Sequence, residues 1–559
     1  MAKELTEFSN VNRKERKKSA INRVFDLIVI GGGITGAGIA LDATLRGLKV
    51  LLIEKSDFAS GTSSKSTKLI HGGLRYLKQL EFGLVRETGL ERSVAHHNAC
   101  HLVHPENMLL PLVHDGSFNK LTAGMAITVY DLLAKVPAED RKDMLSREET
   151  LQIEPLLDEE RVKSAIVYSE YRTDDARLTV EIMKAAKREG AELFNYMEVL
   201  DFIIEKGIVK GVNCLDRLND EEVSFRAKSI INATGPWVDD LRRKEDSQSE
   251  SNLRLSKGVH IVFDKKDLPI SNSTYFDVFD GRMVFAIPRS GKVYVGTTDT
   301  DFKGNLDEMH CTQEDVDYLL SAINNFFKVS PLTIHQVESS WAGLRPLIQQ
   351  KGKSATEVSR KDEVFVSDTG MISIAGGKLT GFRKMAERVV DLVYEKRKMT
   401  MVECPTKEYK ITHTPFKNYE DYLAYKEELC SQFNQVDKDT IEYLVTTYGK
   451  DAFLILNSAK ENYSDDSFES RVVQAQIEYG IQYESVAHPL DFLERRAGWL
   501  YFDIDKCEKY LSKVTKEIGL KIYVSEERLS DFEKATQSTI DINSLKKLKI
   551  QNGTALANK

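Results

Sequence analysis

The chain has 559 residues, enough for two or three domains with a sizeable buried core. Its 78 lysines and arginines against 86 aspartates and glutamates leave a net charge of -8, which argues against a general nucleic-acid binder while allowing local basic patches. The six cysteines (Cys100, Cys214, Cys311, Cys404, Cys430, Cys507) are scattered without Cys-x-x-Cys spacing, so the sequence reads as a reduced cytoplasmic protein without a zinc or iron-sulfur site. No leader peptide stands out, nor any run of about 18 uncharged apolar residues, so any membrane contact is expected to be peripheral.

Residues 1–23 read as a polar arm whose Arg13, Lys14, Arg16, Lys17 and Lys18 form a basic patch, expected to be a solvated tail or to touch an anionic surface. The apolar run Phe25–Ile30 then enters Gly31-Gly32-Gly33-Ile34-Thr35-Gly36, a Gly-x-Gly-x-x-Gly turn between a strand and a helix-forming segment. Gly31, Gly33 and Gly36 let the backbone approach a pyrophosphate, whose charge sits on the amides of the following helix, so the context predicts a bound dinucleotide. A carboxylate is needed about 20 residues on, and Glu54 closes the next predicted strand, Lys49–Ile53, where it can accept ribose hydroxyls. Only one such turn occurs, and the hydroxyl-rich loop Gly61–Lys68, with Thr62, Ser63 and Ser64, suits an extended flavin better than a nicotinamide cofactor.

Next, His71-Gly72-Gly73-Leu74-Arg75-Tyr76 exposes a histidine, an arginine and a tyrosine on paired glycines, and Gly343-Leu344-Arg345 repeats the Gly-Leu-Arg element. Arg75 and Arg345 suit the clamping of a phosphate, although each is also compatible with a structural ion pair. His96, His97, His101 and His104 lack supporting acids at ligand spacing and are expected on a helix surface. Phe118–Lys135 is an apolar stretch compatible with core, a dimer contact or an interfacial helix. Ser229–Pro236 and Met371–Thr380 read as strands running into glycine turns that return to the nucleotide fold. Val259–Phe263, Met283–Ile287 and Val293–Gly296 read as strands of a second sheet, so the two domains are expected to interleave. His260 lies on the first of these strands, as a catalytic base or as a core histidine. From Cys404 glycine becomes sparse and helical spacing dominates.

Eight motifs in order carry a family resemblance: Gly31–Gly38, Thr62–Ser64, His71–Leu77, Thr173–Leu178, Asn232–Trp237, Gly296–Asp299, Gly343–Pro346 and Gly376–Thr380. The sequence resembles the FAD-dependent glycerol-3-phosphate dehydrogenases from about residue 24 to 390, and Asp491–Arg496 resembles that family's C-terminal domain. The resemblance implies an α/β (α+β) architecture. Read along the chain, the order is a polar basic arm (1–23) that carries no family signal, a Rossmann-like FAD-binding domain interleaved with an antiparallel-sheet substrate domain (24–400), a helical C-terminal domain (401–540) and a polar, frayed tail (541–559).

It further implies oxidation of sn-glycerol 3-phosphate at C2 to dihydroxyacetone phosphate, with electrons passed to a membrane quinone. By similarity, Arg75 and Arg345 bind the substrate anion and Tyr76 positions it. His71 is preferred over His260 as base, and Lys378 stabilises reduced flavin or the developing alkoxide. Val199, Gly235, Gly377, Lys378, Leu379 and Thr380 join the glycine turn, Glu54 and Thr62–Ser64 as cofactor contacts. The expected partners are glycerol 3-phosphate, a quinone, a peripheral membrane surface and a second copy of the chain, with no nucleic acid. The N-terminal basic residues and Arg495-Arg496 are candidate headgroup contacts. The alternatives are an oxidase that gives electrons to oxygen, an amino-acid or hydroxy-acid oxidase, and a non-catalytic flavin sensor.

Overall fold

The computed structural model describes residues 5–71, 82–114, 116, 143–349, 361–461, 467–522 and 524–557. Two large sheets are each assembled from distant pieces of chain. In the first, the strands Val24–Ile30, Val50–Ile53, Glu192–Phe194, Glu221–Asn232 and Ile372–Gly376 run parallel, with Ile30 level with Ile53 and Asn232. Their carboxyl ends therefore share one edge, where the glycine turn, Glu54, Ala233 and Gly376 emerge, and that edge is where open parallel sheets bind ligands. Leu27, Val29 and Leu52 on one face are buried against Ala37, Ala40 and Leu41 of the helix Ile34–Leu45 and against Val389 and Val390 of the helix Phe382–Lys396. Gly38 permits this packing, since a Cβ there would stand 3.1 Å from Phe382 and 3.2 Å from Ala386.

The second, ten-stranded sheet is largely antiparallel and contains all three of the predicted β-branched runs. Its strand Leu253–Asp264 pairs with Val337–Ile348 in a register that sets His260 opposite Trp341 and Ser256 opposite Arg345. One neighbouring pair departs from the antiparallel pattern, Ser273–Asp277 running parallel to Val103–Val113. The interleaving follows from the order of strands: the nucleotide sheet takes residues 24–53, 192–232 and 362–376, while the second sheet takes the intervening segments. Helices dominate from Tyr419 onward. The helix Ile504–Ile522 buries Cys507, Tyr510, Leu511, Val514 and Ile518, the spacing of a single apolar face. Serine and aspartate caps such as Asp437, Ser467 and Ser525 begin several of the others.

Four sequence expectations are corrected. The N-terminal segment is not a free arm, because Arg13–Ile21 forms a helix docked on the nucleotide sheet. Arg13 and Lys17 are buried against Asp216, at 2.9 and 2.7 Å, and Arg16 pairs with Glu192 at 2.6 Å, leaving Lys14 and Lys18 exposed. The tail is not frayed: Lys546–Ala557 is helical, with Leu545 and Leu548 packed into the core beneath the second sheet. Arg495 and Arg496 are buried and paired with Asp57, which removes them from any surface. Of the four histidines, His96 and His97 end the helix Phe82–Asn98, whereas His101 and His104 are buried beside the Phe416 and Tyr422 rings. Phe118–Lys135 lies outside the described residues. No described helix is long and apolar enough to cross a membrane.

The N-terminal docking makes stability depend on acid. Burial alone would raise the Asp216 pKa, but Arg13 and hydrogen bonds from Arg13, Lys17 and Asn219 outweigh it and hold the carboxyl down to about 2. With a folded pKa below the unfolded value of about 3.9, the contribution is fully present above that value and is lost as pH falls through the folded pKa. Thermal unfolding between pH 5 and pH 2 is expected to show this loss. Asp216→Ala, which strands two buried cations, is expected to cost about 3–5 kcal/mol at neutral pH and to flatten that acid limb.

Candidate active site

A cavity of about 1070 Å³ runs from the carboxyl edge of the nucleotide sheet to the face of the second sheet. At its nucleotide end the glycine turn leaves no room for side chains. Gly31 has φ +111°, and a Cβ there would lie 2.6 Å from the Ala233 carbonyl oxygen. A Cβ on Gly36 would lie 1.9 Å from the Gly31 carbonyl oxygen, so Gly36 serves close packing of helix on turn rather than bordering the cavity. Glu54 accepts hydrogen bonds from Gly32 N at 2.6 Å and Ser56 N at 2.9 Å, and burial raises its pKa against the pull of those amides. Ser63 Oγ accepts from Ile34 N at 2.9 Å, tying the hydroxyl-rich loop to the start of the helix, and Thr62 Oγ1 donates to the Leu344 carbonyl at 2.7 Å.

Gly33, Glu54, Thr62 and Ser63 border the cavity, as do Val199 and Gly235 further along and Gly377, Lys378, Leu379 and Thr380 at the opposite turn. Ser64 does not: it is fully buried behind the loop, 3.4 Å from Glu494. Gly376 and Gly377 both have φ +78°, which lets the chain turn sharply and bring Lys378 to the cavity.

At the other end, His71, His260, Arg345 and Lys378 border the same space. Arg345 donates to Thr297 Oγ1 at 2.8 Å and to the Thr298 carbonyl at 3.2 Å, with Asp299 at 3.6 Å. Gly258 makes room for its guanidinium, since a Cβ there would lie 2.4 Å from it. His260 is 1 % exposed, lies flat against Trp341 with ring centroids 4.7 Å apart, and meets Thr67 Oγ1 through Nε2 at 3.0 Å. Its Nδ1 has no hydrogen-bond partner among the described residues. Burial, followed by Arg345 and Lys68, pushes its pKa well below the usual histidine range. His71 is half-buried, and its carbonyl accepts from Thr380 Oγ1 at 3.2 Å. Arg75 and Tyr76 lie outside the described residues.

Sequence reasoning did not single out several wall residues. Trp237 has a buried indole N–H with no partner among the described residues, and the Lys55 ammonium stands 4.6 Å from its ring. Thr67 binds His260, and Tyr275 stacks on Phe285 at 4.2 Å as its cross-strand partner in the second sheet. Trp237 closes the quoted Asn-Ala-Thr-Gly-Pro-Trp motif and Thr67 lies in the hydroxyl loop, so both were within reach; Tyr275 and Phe285 carried no signal beyond strand propensity.

A strand-edge glycine cradle, a strand-end acid, an orphaned indole donor and an elongated cavity fit a flavin dinucleotide. The class they define is an FAD-dependent oxidoreductase, and residues 26–383 match the family model of that description, FAD dependent oxidoreductase. Residues 374–529 match the C-terminal domain of alpha-glycerophosphate oxidase. The chain is 45% identical over 515 residues to the aerobic glycerol-3-phosphate dehydrogenase of Staphylococcus aureus, covering 90% of this chain and 92% of that one. It is 43% identical over 547 residues to the enzyme of the same name from Staphylococcus haemolyticus, covering 95% and 97%. A solved glycerol-3-phosphate dehydrogenase from Bacillus halodurans, complexed with FAD, superposes with a TM-score of 0.82 at 39% identity, covering 96% of this chain and 98% of that chain. The chain belongs to the FAD-dependent aerobic glycerol-3-phosphate dehydrogenase family, and its cofactor is FAD.

Proposed function

We propose that the protein oxidises sn-glycerol 3-phosphate at C2 to dihydroxyacetone phosphate and passes the electrons to a membrane quinone. The observation that carries this reading is the convergence of Arg345, Lys378, His71 and His260 on one cavity that also contains the glycine cradle. FAD, when bound, supplies the hydride acceptor. The pyrophosphate is assigned to the amides at Gly31–Ile34, the ribose to Glu54, and the remaining contacts to Thr62, Ser63, Val199, Gly235 and the Gly377–Thr380 turn.

Arg345, together with Arg75, holds the substrate phosphate, and Tyr76 orients it. His71 takes the proton from the C2 hydroxyl, and Lys378 stabilises negative charge that develops as hydride leaves. His260 is fully buried and disfavours protonation, which suits a neutral wall group better than a proton acceptor. The relatives carry the name dehydrogenase rather than oxidase, which favours an acceptor other than oxygen, and a quinone acceptor is this reading's own step beyond that name. A location on the inner face of the cell membrane belongs to the same reading.

The test is anaerobic reduction of the yellow protein by glycerol 3-phosphate, followed by mixing with a soluble quinone or with oxygen. Rapid bleaching and reoxidation chiefly by quinone are expected. Fast peroxide formation would instead make the protein an oxidase, and a fully loaded flavin that stays oxidised would remove glycerol 3-phosphate as the substrate.

A further inference from the structure

The C-terminal motif Asp491–Arg496 forms a single π-helical turn in which all six residues are buried, and it is directed at the cofactor loop of the nucleotide domain. Arg496 makes a fork on Asp57, Nη1 to Oδ2 at 2.7 Å and Nη2 to Oδ1 at 2.9 Å, and Arg495 Nε reaches Oδ2 at 2.7 Å. Asn195 Nδ2 supplies a further bond to Asp57 at 3.1 Å. Arg495 also holds Asp491 at 2.9 Å, and Asp491 accepts from Tyr196 OH at 2.6 Å. Glu494 accepts from Tyr501 OH at 2.6 Å and from Ser64 Oγ at 3.4 Å.

Asp57 and Ser64 are both fully buried and lie within one loop, between Glu54 and Lys65, most of whose other residues border the cavity, Phe58 and Ala59 being buried in the core. Glu54, Lys55 and Ser56 precede Asp57 on the cavity wall, and Ser60–Ser63 precede Ser64. Besides the Ser63 and Thr62 bonds already described, the loop is held by Ala59 N to the Gly32 carbonyl at 2.9 Å and by Tyr196 N to the Ser56 carbonyl at 2.8 Å. The two arginines thus hold the back of the loop whose front borders the cavity. Buried ion pairs contribute little net stability because desolvation offsets their attraction, so a cluster of this size suits fixing one geometry better than stabilising the fold.

We propose that the Asp491–Arg496 turn is a positioning element for FAD: through Asp57 and Ser64 the helical domain sets the 54–64 loop in the shape that Glu54, Thr62 and Ser63 need to bind the cofactor. This assigns the helical domain a part in cofactor retention. It rests on the FAD placement given above and is independent of the identity of the substrate. The guanidinium fork is the critical feature, since an ammonium at the same position is a point charge that cannot engage both carboxylate oxygens.

The experiment uses full-length protein stripped of flavin and titrated with FAD, following quenching of FAD fluorescence, with melting temperatures recorded for the stripped and loaded forms. Arg496→Lys is expected to weaken FAD binding by about tenfold or more through lost preorganisation of the loop, with a smaller weakening in Glu494→Gln. FAD should then raise the melting temperature less than it does in the parent, while the stripped forms melt close together. An unchanged dissociation constant, or equal falls in melting temperature for stripped and loaded forms, would make the turn merely structural and overturn the proposal. If Arg496→Lys does not fold, Glu494→Gln decides by the same criteria. Ser63→Ala guards the premise: a loss of affinity there together with none in the turn variants overturns the positioning role alone. A loss confined to the turn variants overturns the placement of FAD, and the proposal with it.

Discussion

His71→Ala is expected to slow anaerobic flavin reduction by glycerol 3-phosphate by about 10²–10⁴-fold, the range associated with losing a positioned general base. His260→Ala is expected to slow it much less. The two imidazoles border the same cavity, yet their surroundings differ in the property that matters for accepting a proton. His260 is enclosed, flat against Trp341 and tied to Thr67, and burial, Arg345 and Lys68 all oppose its charged form. Placing a proton there during hydride transfer would work against that field. Its pKa is shifted downward by burial and by the two cations, so His260 is not expected to set the acid limb of the rate profile. That limb reports protonation of the group that must accept the substrate proton. It should therefore persist in His260→Ala and vanish, along with most of the rate, in His71→Ala. Stopped-flow bleaching from pH 5.5 to 9 would measure both. A large loss confined to His260→Ala would reverse the assignment.

Arg345→Leu is expected to lower kcat/KM for glycerol 3-phosphate by about 10²–10³-fold, equivalent to about 3–4 kcal/mol for removing one partner of a sheltered, charge-assisted pair. Thr297 and the Thr298 carbonyl hold the guanidinium from the protein side, so its orientation is set before substrate arrives. Gly258 leaves space that a larger residue would fill. Arg345→Lys should recover only part of the loss because the ammonium cannot present two parallel donors. Unphosphorylated glycerol supplies the control: any turnover of it should change little in Arg345→Leu. If both substrates lost the same factor, Arg345 would be acting on the hydride-transfer end rather than on the phosphate.

Much of the nucleotide site was legible in the sequence because its requirements are local. A tight turn that brings backbone to a pyrophosphate needs glycines at fixed spacing, and Gly31 and Gly36 stand where any Cβ would strike a carbonyl oxygen within 2.6 and 1.9 Å. The strand-end position of Glu54 follows from the same local pattern. Arg345 was legible as a charged side chain on a glycine-flanked motif, although the sequence did not say that Thr297 and Thr298 would hold it.

What local pattern could not supply was the destination of charges. Arg13 and Lys17 read as a solvated basic arm because five cations in sequence look soluble, yet Asp216, about 200 residues away, gives two of them a buried partner. Arg495 and Arg496 read as surface groups for the same reason, and Asp57 draws them inside. Spacing predicts which face of an element is apolar; it does not reveal which distant carboxylate will cancel a desolvation cost. The sequence by itself determined the strand–glycine turn–helix unit, its acid, the two-sheet interleaving and the helical C-terminal region, since each rests on short-range periodicity or backbone sterics. Only the tertiary structure decided that His260 is enclosed, that Ser64 faces away from the cavity and that the C-terminal arginines grip Asp57 in the loop after Glu54. Those outcomes depend on burial and on charge pairing between segments hundreds of residues apart, which no local pattern encodes.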